Sequence, residues 1–106
     1  MVNDILTAAG IAYRRGRFTG SKPATYAVYM DDITTDGPDD GPRILRHDIA
    51  VELYEDRPDD TAEAALEAAL AATGLQWTKQ DRYWLQSEQQ YQVIYEFYYF
   101  EKVRNE

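Results

Sequence analysis

The sequence contains no cysteine and a single histidine, His47, among its 106 residues. The absence of thiols excludes disulfides, thiolate nucleophiles and sulfur ligands for zinc or iron. One imidazole also excludes a two-histidine metal site within a single chain. The adjacent Asp48 would point to the opposite face of a strand, where it is poorly placed to orient the ring as a catalytic base. We therefore interpret His47 as an exposed or structural residue and expect no cofactor.

Long apolar runs and basic stretches are also scarce. No run of roughly 18 apolar residues occurs, and residues 1–10 lack the basic and apolar parts of a signal peptide. With 11 Lys and Arg against 19 Asp and Glu, the formal net charge is −8, which opposes nonspecific binding to nucleic acid phosphates. We expect an intracellular site of synthesis, no membrane contact and no specific binding of DNA.

The short motifs of common catalytic sites are missing: the sequence has no GxSxG, Walker loop, GxGxxG or HExxH. No two carboxylates are set apart by apolar neighbours as an acid–base pair. One Asp-rich segment resembles a calcium loop, with Asp32 in the first position and Gly37 in the sixth, but Arg43 stands where the bidentate Glu is required. We expect no enzyme, no metal site and no small-molecule substrate.

The residues that are present indicate one globular domain over residues 1–106. Hydrophobic residues make up 44% of the chain and aromatic residues 13%, including 9 Tyr. A chain of this length buries enough surface for one core but not for a second.

Two segments have the periodicity and end signals of helices. The first follows Asn3 as an N-cap and ends at Gly10. The second begins with Asp60 and Glu63, a pattern like a capping box, and runs to about Thr73. One face of this helix is an apolar stripe formed by Ala62, Ala65, Leu66, Ala69 and Leu70. Glu63 and Glu67 lie on the other face and are expected to face solvent.

Alternating apolar and polar residues predict the strands. They cover residues 11–13, 24–30, 44–55, 75–79 with an extension through 85, and 91–103. Residues 31–42, with five Asp, two Gly and two Pro, are expected to form a mobile acidic loop. Because the turns are too short for parallel crossovers, we predict an α+β fold. Its sheet is mainly antiparallel with four to five strands, two helices pack on one side, and the order is α-β-β-β-α-β-β.

Both faces of the final strand become apolar toward its end. Tyr95 and Tyr99 share one face, and Tyr98 and Phe100 share the other. A strand with so little charge would be an aggregation hazard at an exposed edge, so something must cover it. Two explanations stay open: a central position beneath the long helix, or a subunit interface formed by these four residues.

Arg14, Arg15 and Arg17 form the basic cluster of the sequence, between Tyr13 and Phe18. One interpretation is a solvated loop. The other is a contact with a partner, whose carboxylates match the cluster better than phosphates do, given the acidic excess of the chain.

The order and spacing of four segments form a pattern that covers nearly the whole chain. They are residues 11–13, 23–29, 49–54 followed by Asp59, and 90–97, with an Ala- and Glu-rich helix between the last two. The pattern resembles the small tail proteins of phages and prophages of Gram-positive bacteria, in particular tail terminator or tail completion proteins. The chain departs from that family in its longer 31–42 loop and its three-arginine turn.

This resemblance implies a non-enzymatic virion assembly protein that forms a homo-oligomeric ring, typically a hexamer, at the head–tail junction. The implied partners are further copies of the chain, tail tube proteins and head-connector proteins. The implied locations are the host cytoplasm during assembly and, for a functional prophage, the virion tail. DNA would pass through the ring without specific binding. We expect the acidic loop to line the lumen with Asp31, Asp32, Asp36, Asp39 and Asp40.

Two other functions fit the same composition. An acidic DNA mimic that inhibits a host nucleic-acid-binding protein would also be small, negative and free of cysteine. Its carboxylates should spread over several faces, whereas here they concentrate in one segment and one helix face. A small protein-interaction module that binds a host protein is the other alternative.

Overall fold

The computed structural model describes residues 1–36 and 43–103, which form two helices and one six-stranded sheet. In chain order the elements are α1 (Val2–Ala9), β1 (Ala12–Arg15), β2 (Thr25–Asp36), β3 (Arg43–Glu55), α2 (Asp60–Ala72), β4 (Trp77–Lys79), β5 (Tyr83–Leu85) and β6 (Gln90–Val103). The predicted α+β class is confirmed. The strand count exceeds the predicted four to five because one predicted strand is divided in two.

The sheet is built around β3, which pairs with β2 on one side and with β6 on the other. Both pairs are antiparallel, and the β3–β6 register is uniform from Arg43 opposite Val103 to Glu55 opposite Tyr91. β1 extends the sheet beyond β2, whereas β4 and β5 extend it beyond β6. The predicted mainly antiparallel sheet is confirmed.

β1 is the exception, because it pairs with β2 in parallel, with Ala12 opposite Tyr26 and Arg15 opposite Tyr29. The argument that the turns are too short for a parallel connection is wrong at this point. Residues 16–24 reach about 30 Å when extended, whereas the short strand β1 spans only about 13 Å. A connection of this length can run back along β1 without a helix, so that β2 starts at the same end of the sheet as β1 and pairs with it in parallel.

β4 and β5 occupy the segment predicted as one strand, and both line the same edge of β6. Lys79 lies opposite Tyr95 and Tyr83 lies opposite Gln92, so three residues of this edge face only two residues of β6. The extra residue is a β-bulge, which interrupts the strand and changes the face that the following side chains occupy. It places Arg82 on the same face of the sheet as Lys79.

Both helices pack on one face of the sheet, which we call the helix face. Leu66 and Leu70 of α2 are fully buried and share the core with Leu6 of α1. Alternate residues of the central strands complete the core: Ala27, Ile49, Val51, Leu53, Val93, Tyr95 and Phe97. The opposite side, which we call the open face, carries no helix of the described residues.

The helix starts differ from the predicted caps. α1 begins at Val2, before the predicted cap at Asn3. Asp59 rather than Asp60 caps α2, and its side chain accepts a hydrogen bond of 3.0 Å from a backbone N–H of the first turn. Thr25 of β2 donates a second hydrogen bond of 2.7 Å. The Thr25 bond and then the backbone bond hold the pKa of Asp59 below its ordinary value, so this carboxylate ties the start of α2 to β2.

Residues 31–36 of the predicted 31–42 loop belong instead to β2, which continues to Asp36, and β3 begins at Arg43. Asp-rich sequence disfavours strand on its own. Here the regular pairing with β3, such as Ile33 opposite His47, overrides that preference. Residues 37–42, which contain two of the predicted lumen residues, lie outside the described ranges.

The three central strands continue beyond the core as an arm. The arm comprises residues 32–36 of β2, 43–48 of β3 and 98–103 of β6, which pair row by row. The buried apolar residues nearest to it are Ile49 and Phe97, and among the described residues of the arm only His47 is buried. The molecule is accordingly elongated and measures 50 × 27 × 22 Å.

Candidate functional site

The open face of the arm exposes large apolar side chains. Phe100 and Tyr98 of β6 are 57% and 45% exposed, and Ile44 of β3 is 37% exposed. The Tyr98 and Phe100 rings meet edge to face with their centroids 5.8 Å apart. Burial of one such side chain typically contributes about 1.5–3 kcal/mol. This face is therefore a candidate contact surface.

Arg46 lies against these aromatic rings. The centre of its guanidinium is 4.2 Å from the Tyr98 ring centroid and 6.0 Å from the Phe100 ring centroid. The same guanidinium donates hydrogen bonds of 3.1 and 3.2 Å to the carboxylate of Asp48. These contacts hold the cation over the rings. Arginine beside aromatic residues is a combination that is enriched at the centres of protein–protein interfaces.

The β6 side of the arm is a backbone edge that no described strand covers. The Gln80 N–H donates a hydrogen bond of 2.9 Å to the Ile94 carbonyl, so the backbone groups of Ile94 point toward β4 and β5. Because this direction alternates along a strand, the backbone groups of Tyr98, Phe100 and Lys102 point the same way. β4 pairs with β6 only before these residues.

The β2 side of the arm is a second uncovered edge. The Gly16 N–H donates a hydrogen bond of 3.0 Å to the Tyr29 carbonyl. By the same alternation, the backbone groups of Asp31, Ile33 and Thr35 point away from β3. β1 pairs with β2 only as far as Tyr29. Backbone edges of this kind readily accept a further strand.

On the helix face of the arm, His47 is held between two carboxylates. Its Nδ1 lies 2.9 Å from Oδ2 of Asp31 on β2, and its Nε2 lies 2.9 Å from Oε1 of Glu101 on β6. The side chain is buried and stacks on Tyr99 with the ring centroids 4.5 Å apart. Only the protonated imidazole donates to both carboxylates at once.

The charge on His47 follows from these partners. Burial alone would lower the pKa of His47, but the hydrogen bonds and charges of Asp31 and Glu101 outweigh burial and raise the pKa above its ordinary value of 6.5. The imidazolium thus joins β2, β3 and β6. His47 is structural rather than exposed, and no sequence signal links it to partners 16 and 54 residues away.

A second ionisable cluster lies beneath the start of α2. Glu55 of β3 is fully buried, and Glu63 of α2 is 4% exposed. Nη2 of Arg82 lies 2.7 Å from Oε2 of Glu63, and Nε of Arg82 lies 3.4 Å from Oε1 of Glu55. Nζ of Lys79 lies 3.0 Å from Oε1 of Glu63. The expectation that Glu63 faces solvent is wrong, because the bulge turns Arg82 toward it.

The two buried carboxyl groups differ in charge. Burial, together with the neighbouring Glu63, raises the pKa of Glu55 to about 8. Burial acts on Glu63 in the same direction, but Arg82 and Lys79 outweigh it and lower the pKa of Glu63. Neither oxygen of Glu55 has a hydrogen-bond partner among the described residues. At neutral pH, Glu55 is therefore mostly protonated and Glu63 is charged.

Such a pair of carboxyl groups is also found at catalytic centres. Here the proton-carrying Glu55 has no exposed surface, and the charged Glu63 is already bound by Arg82 and Lys79. The cluster joins α2 to the edge of the sheet, and its geometry offers no place for a reacting group beside Glu55.

The structure separates the four residues predicted as a subunit interface. Tyr98 and Phe100 are exposed on the open face, and Tyr99 is half-buried against His47. Tyr95 is fully buried, and its hydroxyl donates a hydrogen bond of 2.8 Å to Glu67 of α2. Tyr95 is therefore a core residue and not an interface residue, because its side chain lies on the helix face.

The basic cluster lies on the outer edge of the sheet. Arg14 and Arg15 end β1, Arg17 follows, and all three are exposed. Nη1 of Arg14 donates a hydrogen bond of 2.7 Å to the Tyr13 carbonyl, and the guanidinium lies 4.7 Å from the Phe18 ring centroid. The segment predicted as a loop thus begins as an edge strand.

The acidic residues predicted for one lumen-facing loop do not share one surface. The side chain of Asp31 is 11% exposed and binds His47 on the helix face, so its assignment to an exposed loop is wrong. Asp32 is exposed and belongs to the open face, and Asp36 ends β2. Asp39 and Asp40 lie outside the described residues.

Residues 1–36 and 43–103 contain neither a cluster of metal-binding side chains nor a membrane-spanning helix. No group of three or more His, Cys, Asp or Glu side chains is arranged there to hold a metal ion. No helix in these ranges has the length and apolar character needed to cross a membrane.

Comparison with known proteins gives a similarity of fold. No protein-family model matches the sequence, and no curated protein matches it. Among solved structures, the chain is similar to a chain in the virion of the native gene transfer agent (GTA) particle. The TM-score is 0.62 and the identity is 17%, over 95% of this chain and 84% of that chain. At this identity the similarity shows a shared fold.

Proposed function

We propose that the chain is a non-enzymatic structural protein of a virion and that it assembles with copies of itself. The observation that carries the proposal is the arm, which has an aromatic face and two backbone edges that no described residue of the same subunit covers. Surfaces of this kind are normally covered by a partner. The shared fold with a chain of the gene transfer agent virion supports a place in a particle of that type.

Within the virion, the proposed role is that of a tail terminator or tail completion protein. Such a protein forms a ring at the head–tail junction and contacts tail tube and head-connector proteins. The formal charge of −8 supports passage of DNA without specific binding. Of the five Asp residues predicted to line a lumen, Asp32 is exposed in the described part of the chain. The chain would act in the host cytoplasm during assembly and then in the tail, without a cofactor or small-molecule substrate.

Light scattering over a concentration series tests the self-assembly, together with negative-stain images recorded with and without tail tube protein. We expect a ring of several subunits, six being the number that the resemblance implies. A chain that stays monomeric at every concentration, and also beside tail tube protein, would contradict the proposal. A monomer that binds a basic host protein would favour the acidic DNA mimic instead.

A matched pair of variants assigns the contact to the arm. Phe100→Ser removes an exposed aromatic ring from the open face of the arm, whereas Tyr83→Ser removes a ring that is 65% exposed on β5, outside the arm. We expect Phe100→Ser to weaken assembly by about tenfold or more, as at interface hot spots, and Tyr83→Ser to leave it unchanged. Equal effects would show that exposed aromatic surface in general drives the association.

A further inference from the structure

We propose that β1 of one copy docks at a notch beside β4 of the next copy. The notch is the cavity at the point where β4 begins, lined by Ile49, Leu75, Trp77 and Phe97 with Asp48 and Glu96 at its rim. This inference rests on the proposed self-assembly, and it names the surfaces that meet and their orientation.

The notch has the shape and the backbone groups to receive an extended segment. Its volume is about 590 Å³, and its lining combines apolar residues, among them Leu75 and Trp77, with the polar residues Asp48, Gln76, Thr78 and Glu96. Beyond Phe97, which lies opposite Trp77 at the start of β4, no described strand pairs with this edge of β6. The uncovered edge at Tyr98 and Phe100 therefore leads directly into the notch. A strand added to this edge would continue the line of β4 and place its side chains against Leu75 and Trp77 and beside Glu96.

The rim of the notch is acidic. None of the described residues that line it is Lys or Arg. Asp48 binds Arg46, whereas Glu96 accepts a hydrogen bond of 2.8 Å from the neutral amide of Gln80. Glu96 pairs with no cation in the described part of the chain. The notch is thus complementary to an extended segment that carries positive charge.

β1 has this chemistry, and it lies at the opposite edge of the sheet. It is an extended outer strand, and the exposed Arg15 and Arg17 form no ion pair with any described residue. In a chain with a net charge of −8, this edge offers a cationic surface to another copy.

The positions of β1 and the notch make the contact head-to-tail. Each copy offers β1 to one neighbour and its notch to the other, so the contact repeats until a ring closes. β1 and the notch lie at opposite edges of the sheet. A two-fold symmetric contact through a single edge would therefore bring two basic edges or two acidic notches together, which repulsion between like charges opposes.

Charge reversal on the two surfaces tests the inference. The first variant carries Arg15→Glu and Arg17→Glu, and the second carries Glu96→Lys. We expect each variant alone to assemble at least about tenfold more weakly than the unmodified chain. An equimolar mixture should regain assembly, because the reversed edge of the first variant fits the reversed notch of the second and the unmodified surfaces fit each other. Sedimentation velocity measures the species in each sample.

Arg57→Glu is the control, because it reverses an exposed Arg outside both surfaces and should leave assembly unchanged. The inference is overturned if either charge variant assembles normally or if the mixture stays dissociated. Loss of assembly with Glu96→Lys but not with the arginine variant would mean that a segment of the chain other than β1 docks at the notch. If the unmodified chain is monomeric throughout, the proposed function fails together with the inference.

Cross-linking identifies the orientation independently, since the chain has no cysteine of its own. Arg14→Cys marks β1, and Thr78→Cys marks the notch. A head-to-tail contact gives disulfide-linked dimers only when the two single variants are mixed. Dimers formed by either variant alone would show a symmetric contact and overturn the proposed orientation.

Discussion

Nε2 of His47 on β3 lies 2.9 Å from a carboxylate oxygen of Glu101 on β6, although 54 residues separate them in the sequence. With Asp31 at Nδ1, the same imidazole connects three strands. Because both ring nitrogens face carboxylates, the connection depends on the protonated form of the ring.

We expect the arm to lose stability as the pH rises through the raised pKa of His47. The folded pKa lies above 6.5, so the stabilisation is complete below about pH 6.5 and disappears at higher pH. NMR titration of the imidazole measures the pKa of His47, and hydrogen exchange of arm amides between about pH 6 and pH 9 measures the stability of the arm. His47→Gln should remove this pH dependence from the arm. A folded-state pKa at or below 6.5 would contradict the prediction.

Glu55→Gln should become more stable than the unmodified chain as the pH rises from about 5 to about 8. In this range the unfolded chain releases the proton of Glu55, whereas the buried group keeps it because its pKa is raised to about 8. The unmodified protein therefore loses stability with rising pH, and the glutamine variant does not. Urea unfolding at both pH values measures the difference. Glu52→Gln, half-buried on the open face, is the control and should change little.

Arg82→Ala should destabilise the fold by about 3 kcal/mol, since it removes a cation from a buried carboxylate. In a Glu63→Gln background the same change should cost much less, because the charge that Arg82 compensates is gone. Chemical denaturation gives the four free energies of the cycle. If Arg82→Ala lowers the free energy of unfolding equally in both backgrounds, the stabilising partner of Arg82 is Asp60, 3.0 Å away, and not Glu63.

Tyr95→Phe should lower the free energy of unfolding by about 0.5–1.5 kcal/mol, the usual contribution of one hydrogen bond. The change removes the bond to Glu67 and leaves the packing of the ring intact. Assembly should be unaffected, because Tyr95 is fully buried within the subunit. If light scattering showed weaker association of a stably folded Tyr95→Phe protein, Tyr95 would have to contribute to the subunit interface.

Much of the sheet can be predicted from local pattern. The alternation around Ile49 and Leu53 predicts β3 to within one residue at either end, because one side of that strand is buried over most of its length. The same pattern finds β6 and the burial of Leu66 and Leu70 in α2. These elements follow from periodicity that a single face imposes.

The remaining features depend on partners distant in the sequence. Residues 31–36 form a strand because β3 pairs with them, which their composition does not reveal. Glu63 is buried because a one-residue bulge aims Arg82 at it, and no periodicity signals the bulge. The pattern places Tyr95 and Tyr98 on opposite faces of β6, but it does not say which face the helices cover. The candidate site was therefore only partly predictable: Tyr98 and Phe100 remain surface residues, and Tyr95 does not.

The uniform register of β3 with both neighbours has a mechanical consequence. A force applied at the tip of the arm, along the strands, loads every row of both ladders in shear at the same moment. A peeling force opens such rows one after another, so the arm resists tension far better than it resists being unzipped from its side.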